Sequence, residues 1–141
     1  MNQTPIAVLG AGSWGTALAA SLAPHHDVRL WARRPEAADE IARTRRNERY
    51  LPGADLPAEI TVTSDLDDAV EGAGLWVVAV PSQSVRDVMA PLADRAAGVT
   101  IASVAKGIEN ETLLTTSAVL RDVLPAAEAG RVGVLYGPSH A

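Results

Sequence analysis

Two places in the chain combine residue types that could do chemistry. The first is Gly10-Ala11-Gly12-Ser13-Trp14-Gly15, which has the spacing G-x-G-x-x-G. In such a turn the first glycine, Gly10, makes a tight reversal, and the second, Gly12, lets a pyrophosphate approach the backbone. The third, Gly15, lets a helix pack close to a strand. An anion would then rest on the free N–H groups at the helix start, where the helix dipole also favours negative charge. A turn whose glycines serve packing alone is the alternative. The second place is Lys106, the only lysine in a chain with twelve basic residues. Its compact ammonium offers three donors that can reorient between a phosphate, a hydroxyl and a carbonyl oxygen. A lone lysine is as readily explained as a solvated surface charge.

Two smaller features belong beside these. Arg33-Arg34 places two guanidiniums and no carboxylate at the end of an apolar run. At that point of a dinucleotide-binding unit an acidic residue would take the ribose hydroxyls of NAD, whereas arginines favour the 2′-phosphate of NADP. A solvated basic loop remains open as the other reading. Ala11-Gly12-Ser13-Trp14-Gly15 also resembles a degenerate nucleophile elbow that would make Ser13 a hydrolase nucleophile, with Asp and His later in the chain. Against it, Ala11 replaces the elbow's first glycine, the turn follows the first strand, and no companion oxyanion loop precedes it.

The elements that must position these groups alternate along the chain. Ile6 to Leu9 reads as a buried strand running into the glycine turn, and Ser13 to Leu22 as the helix it opens. A second strand is expected over 28–31, and a helix over 35–46 with Pro35 in its opening turn. Then come a strand over 60–63, a short helix over 65–71 capped at Ser64/Asp65, and a buried strand over 75–80 stopped by Pro81. A helix over 84–96 kinked at Pro91, a strand over 99–104, a helix over 111–124 and a strand over 132–136 complete the series. Residues 47–59, with Pro52, Gly53 and Pro57, read as a surface excursion. His25 and His26 read as residues closing a helix end. This order predicts an α/β fold: a doubly wound, mostly parallel Rossmann-type sheet with helices on both faces, and ligands at the carboxyl edge of its strands. Lys106, just after the fifth strand, falls on that edge.

Composition bounds the rest. With 141 residues and 48% hydrophobic content, the chain can bury one good core. A net charge of -5 gives no general footprint for nucleic acid or an anionic membrane. There is no cysteine, so a disulfide framework and a thiolate metal site are both out of reach. No metal is expected. No apolar run approaches the roughly 18 residues of a membrane span, and a cytoplasmic location is expected. The whole of 1–141 is expected to be one dinucleotide-binding domain. Because Tyr136-Gly137-Pro138-Ser139-His140-Ala141 begins a turn and stops, the chain also reads as a piece of a longer one.

Five blocks together resemble the bacterial NAD(P)-dependent glycerol-3-phosphate dehydrogenases. They are Gly10 through Ala19, Asn47 with Tyr50-Leu51-Pro52-Gly53, Val80-Pro81-Ser82, Ala105-Lys106-Gly107-Ile108-Glu109, and Gly137 through Ala141. They span the chain in the family's order. The resemblance implies that Ser13 and Trp14 line the cofactor, that Arg33 and Arg34 meet the adenosine 2′-phosphate, and that Tyr50 packs near it. It also implies that Lys106 touches both cofactor and substrate, that Gly137 and Ser139 contact glycerol 3-phosphate, and that Ala141 touches the cofactor; His140 is a turn residue. The implied reaction is reversible hydride transfer between sn-glycerol 3-phosphate and NAD(P), NADP preferred, giving dihydroxyacetone phosphate and supplying phospholipid synthesis. In that family a following helical domain provides the general base, a further lysine, and the complete enzyme is expected to be a homodimer. The 141 residues alone are therefore expected to bind NADP(H) and turn over poorly. A stand-alone nucleotide sensor and a serine hydrolase using Ser13 are the rival classes. A sensor would not need Lys106 or the Gly137-Pro138-Ser139 turn, and a hydrolase would be labelled at Ser13 by a serine-reactive phosphonate.

Overall fold

The computed structural model describes residues 3–135. Six strands form one sheet: β1 (Ile6–Leu9), β2 (Val28–Trp31), β3 (Thr61–Thr63), β4 (Leu75–Val78), β5 (Thr100–Ser103) and β6 (Val132–Val134). Five α-helices connect them: α1 (Ser13–Leu22), α2 (Pro35–Thr44), α3 (Leu66–Val70), α4 (Val85–Met89) and α5 (Thr116–Val123). Every strand pair is parallel, in the order β3-β2-β1-β4-β5-β6. The chain therefore winds outward from β1 to β3, returns to lay β4 on the other side of β1, and winds outward again.

Strand periodicity divides the core between the two faces. Ile6 and Val8 of β1 join Val28, Leu30 and Val77 in a cluster completed by Ala19 of α1 and Ile41 of α2. Ala7 and Leu9 face the other way, with Trp31, Trp76, Val78 and Ile101, against Ala69 of α3, Met89 of α4 and Leu120 of α5. Removing a side chain as large and as fully buried as Trp76 would cost about 3–5 kcal/mol.

Helix boundaries follow local chemistry. Arg34 precedes Pro35 at the first turn of α2, and Arg45, at φ 56°, ends that helix in the left-handed region. Asp65 caps α3 by accepting from the N–H groups of Asp67 and Asp68 at 2.8 and 3.1 Å. His25 closes the end of α1, its N–H donating to Leu22 O at 3.1 Å.

Two expected helices are shorter than their patterns suggest. The segment expected as one helix over 84–96 is α4 between two 3₁₀ turns, Ser82–Ser84 and Ala90–Arg95. Pro91 lacks the N–H that would continue the α ladder. The helix expected from 111 starts only at Thr116, because Leu113 adopts a positive φ of 61° and turns the chain first. The strand expected over 75–80 ends at Val78; β6 spans Val132–Val134, and Tyr136, the expected end of that strand, lies outside the described residues. The excursion over 47–59 is pinned rather than loose: Leu56 is buried, and Arg45 Nη2 donates to the carbonyls of Pro57 and Ile60.

Candidate functional site

A cleft of about 740 Å³ opens where the winding direction reverses, between the ends of β1 and β4. Such reversals leave a crevice beyond the strand carboxyl ends, because the flanking crossovers leave the sheet on opposite sides. The glycine turn after β1 forms one wall, and Ala79, Val80 and Pro81 after β4 form the facing one. Arg33 and Arg34 at the tip of β2 extend it, and residues 46–50 close the far side.

The three motif glycines have different surroundings. Gly10 has φ of +124°, and a Cβ there would lie 2.7 Å from the carbonyl of Ala79, so both conformation and space demand glycine. A Cβ on Gly15 would lie 1.8 Å from Gly10 O, which allows α1 to sit directly on the turn. A Cβ on Gly12 would meet nothing within 4 Å, and Gly12 lines the cleft. As the N-cap of α1 it supplies no side-chain cap to the first-turn N–H groups. An uncapped helix start at an open crevice is the chemistry a pyrophosphate requires, so the residues present fit a dinucleotide.

Ser13 and Trp14 are exposed on the same wall, Trp14 at 42%. Tyr50, 43% exposed, lines the opposite side, with the Arg49 guanidinium 5.3 Å from its ring centroid. Arg33 and Arg34 are both exposed, and neither makes an ion pair with a carboxylate among the described residues. Arg46, on the same cleft, differs: Asp55 at 2.7 Å and Glu48 at 3.2 Å hold it and raise its pKa above the usual arginine value.

Asn47 was legible in the sequence only as part of a family block, and its role is structural. Nearly buried, it donates through Nδ2 to Ala11 O at 2.8 Å and to Thr16 Oγ1 at 2.9 Å. The excursion is thereby tied directly to the glycine turn. No sequence pattern announces that this amide points inward.

Lys106 follows β5 at the carboxyl edge and is half-buried, but it does not line the cleft just described. Its neighbours are firmly held. Ser103 Oγ accepts from Ala105 N at 3.2 Å, and Thr116 Oγ1 donates to Ala105 O at 3.4 Å. Gly137, Ser139 and Ala141, expected as substrate and cofactor contacts, lie outside the described residues, as does His140. No histidine hydrogen-bonds Ser13 among the described residues, and His25 and His26 lie beyond the opposite end of α1, so the elbow reading gains no partner. Also among the described residues, no cluster of His, Asp and Glu could hold a metal, and no helix is long and apolar enough to cross a membrane.

Residues 5–141 match the family model described as NAD-dependent glycerol-3-phosphate dehydrogenase N-terminus. The chain belongs to that family. It is 54% identical over 143 residues to glycerol-3-phosphate dehydrogenase (NAD(P)+) 2 of Salinibacter ruber, covering 99% of this chain and 41% of that one. The glycerol-3-phosphate dehydrogenase (NAD(P)+) of Chlorobium phaeobacteroides is 51% identical over 138 residues, with 96% and 41% covered. The crystal structure of glycerol-3-phosphate dehydrogenase from Coxiella burnetii superposes with a TM-score of 0.85 at 34% identity, over 98% of this chain and 42% of that one. The chain thus spans about two fifths of the length of these glycerol-3-phosphate dehydrogenases. The fold expected from the alternation of elements is the one these relatives share.

Proposed function

We propose that this chain is the dinucleotide-binding domain of a glycerol-3-phosphate dehydrogenase and that it prefers NADP(H) over NAD(H). The observation that carries the reading is the crevice between β1 and β4, where an uncapped helix start and the open space at Gly12 share a cleft with Arg33 and Arg34, exposed and without an ion pair among the described residues. The pyrophosphate rests on the backbone of Gly10, Gly12 and Gly15, with Ser13 and Trp14 beside it. Arg33 and Arg34 take the 2′-phosphate through charge-assisted bonds, and Tyr50 packs near the cofactor.

When bound, the nicotinamide supplies the hydride exchange that interconverts sn-glycerol 3-phosphate and dihydroxyacetone phosphate. Lys106 orients and polarises the reacting oxygen, while Gly137 and Ser139 contact the substrate and Ala141 the cofactor. The proton is moved by a base in the portion of the relatives that this chain does not cover. The complete protein is cytoplasmic and homodimeric, needs no metal, and supplies glycerol 3-phosphate for phospholipid synthesis.

Calorimetric titration of the purified chain with NADPH and NADH side by side tests the reading. Saturable binding with NADPH the tighter supports it. Binding of neither, or NADH the tighter, removes the cofactor assignment. Rapid oxidation of NADPH by the 141 residues alone in the presence of dihydroxyacetone phosphate would show that no outside base is needed.

A further inference from the structure

The turn that carries Lys106 is gripped from one side by the segment that follows β4. Gln83 makes a two-point contact with its backbone: Nε2 donates to Ile108 O at 2.8 Å, and Oε1 accepts from Asn110 N at 3.0 Å. One helical turn later, Arg86 bonds both carboxylate oxygens of Glu109, with contacts of 2.9 to 3.1 Å, and reaches Asp122 of α5 at 2.6 Å. Gly107 completes the fit: its φ is +120°, and a Cβ there would stand 2.8 Å from Ser82 Oγ. The turn closes on itself through Glu109 N to Leu114 O at 2.9 Å and Leu113 N to Glu109 O at 2.8 Å.

This gripping segment also borders the crevice, since Pro81 and Ser84 line it. Gln83 and Arg86 therefore stand between the dinucleotide wall and the lysine turn. Neither belongs to the cleft lining, and the sequence singled out neither. An amide with both ends bonded to one backbone segment, backed by a bidentate guanidinium–carboxylate pair, fixes position more tightly than either contact alone.

We propose that Gln83 and Arg86 are positioning residues for Lys106: they set where its ammonium stands by holding the backbone of residues 107–110. The proposal rests on the reading of Lys106 as a cofactor- and substrate-facing group, yet its test does not depend on that reading.

Lys106 is the only lysine in the chain, so lysine labelled at Cε alone gives a single side-chain carbon resonance in NMR. Gln83→Ala and Arg86→Lys should each move that resonance. Backbone order parameters of residues 107–110 should fall from about 0.85 towards 0.6 or below, while amide signals elsewhere stay native. Gln83→Glu keeps the acceptor for Asn110 N and loses the donor to Ile108 O, so it should give an intermediate shift. It also serves if Gln83→Ala fails to fold. Arg95→Ala, whose partners are Asp67 and Glu71, is the control that leaves the lysine signal in place. An unmoved lysine resonance and rigid 107–110 amides in folded Gln83→Glu and Arg86→Lys overturn the proposal. NADPH added to the unmodified chain reports separately on the underlying reading: a lysine signal that ignores saturating NADPH removes Lys106 from the cofactor site without touching the positioning claim.

Discussion

Asn47 and Thr16 are joined by a buried hydrogen bond, Nδ2 to Oγ1 at 2.9 Å, although thirty-one residues separate them. The same amide reaches Ala11 O, so a side chain from beyond α2 supports the turn that opens α1. Asn47→Ala leaves a part-buried carbonyl and a buried hydroxyl without this partner. The expected cost is about 1–3 kcal/mol in urea unfolding, together with weaker NADPH binding. Unchanged stability would mean that the amide contributes no net support.

The glycine turn separates folding from binding within a few residues. Gly15→Ala puts a methyl group 1.8 Å from Gly10 O and should abolish soluble, cooperatively folding protein. Gly12→Ala meets nothing within 4 Å, so its stability should change by less than about 1 kcal/mol. Its affinity for NADPH should nonetheless fall by roughly tenfold or more, because the methyl occupies the pyrophosphate's approach. Paired thermal melts and calorimetry check both; a Gly12→Ala chain that binds normally would move the pyrophosphate elsewhere.

Arg33 and Arg34 carry the cofactor preference. Replacing both with alanine should weaken NADPH by roughly ten- to a hundredfold while barely changing NADH, since only NADPH loses charge-assisted contacts. Equal losses for the two would count against the 2′-phosphate assignment.

The Arg86–Glu109 pair predicts a pH response with a definite sign. Hydrogen bonds from Arg86 and then Thr112 hold the Glu109 carboxyl below the usual carboxylate range, with partial burial opposing them, and Arg86 also faces Asp122. A folded pKa below the unfolded one gives stability that is present above the ordinary glutamate value of about 4.3 and is lost as pH falls through the depressed folded value. Unfolding free energy measured against pH should therefore drop less steeply on acidification in Glu109→Gln than in the native chain. Superimposable slopes would remove the pair from the acid response.

Most of the fold was legible because strand-helix alternation and the glycine spacing are local signals. The ends of elements were not. Pro91 breaks its helix into pieces, and Leu113 takes a left-handed turn that only the Glu109–Leu114 closure explains. The site divided the same way. Gly10, Gly12, Ser13, Trp14, Arg33 and Arg34, each singled out by its place in the sequence, line one cleft. Asn47, Gln83 and Arg86 act through contacts across twenty or more residues, and no local pattern encodes a long-range side-chain bond.

The abutment of Gly10 on Ala79 has a consequence for biogenesis. During synthesis the glycine turn emerges some seventy residues before the wall it leans against, which is in place only when β4 inserts beside β1. A nascent chain that has not yet released β4 thus holds the motif without the crevice. Dinucleotide capture would then report on the joining of the two halves of the sheet, and a ligand present during refolding should stabilise the joined form rather than speed the formation of the turn itself.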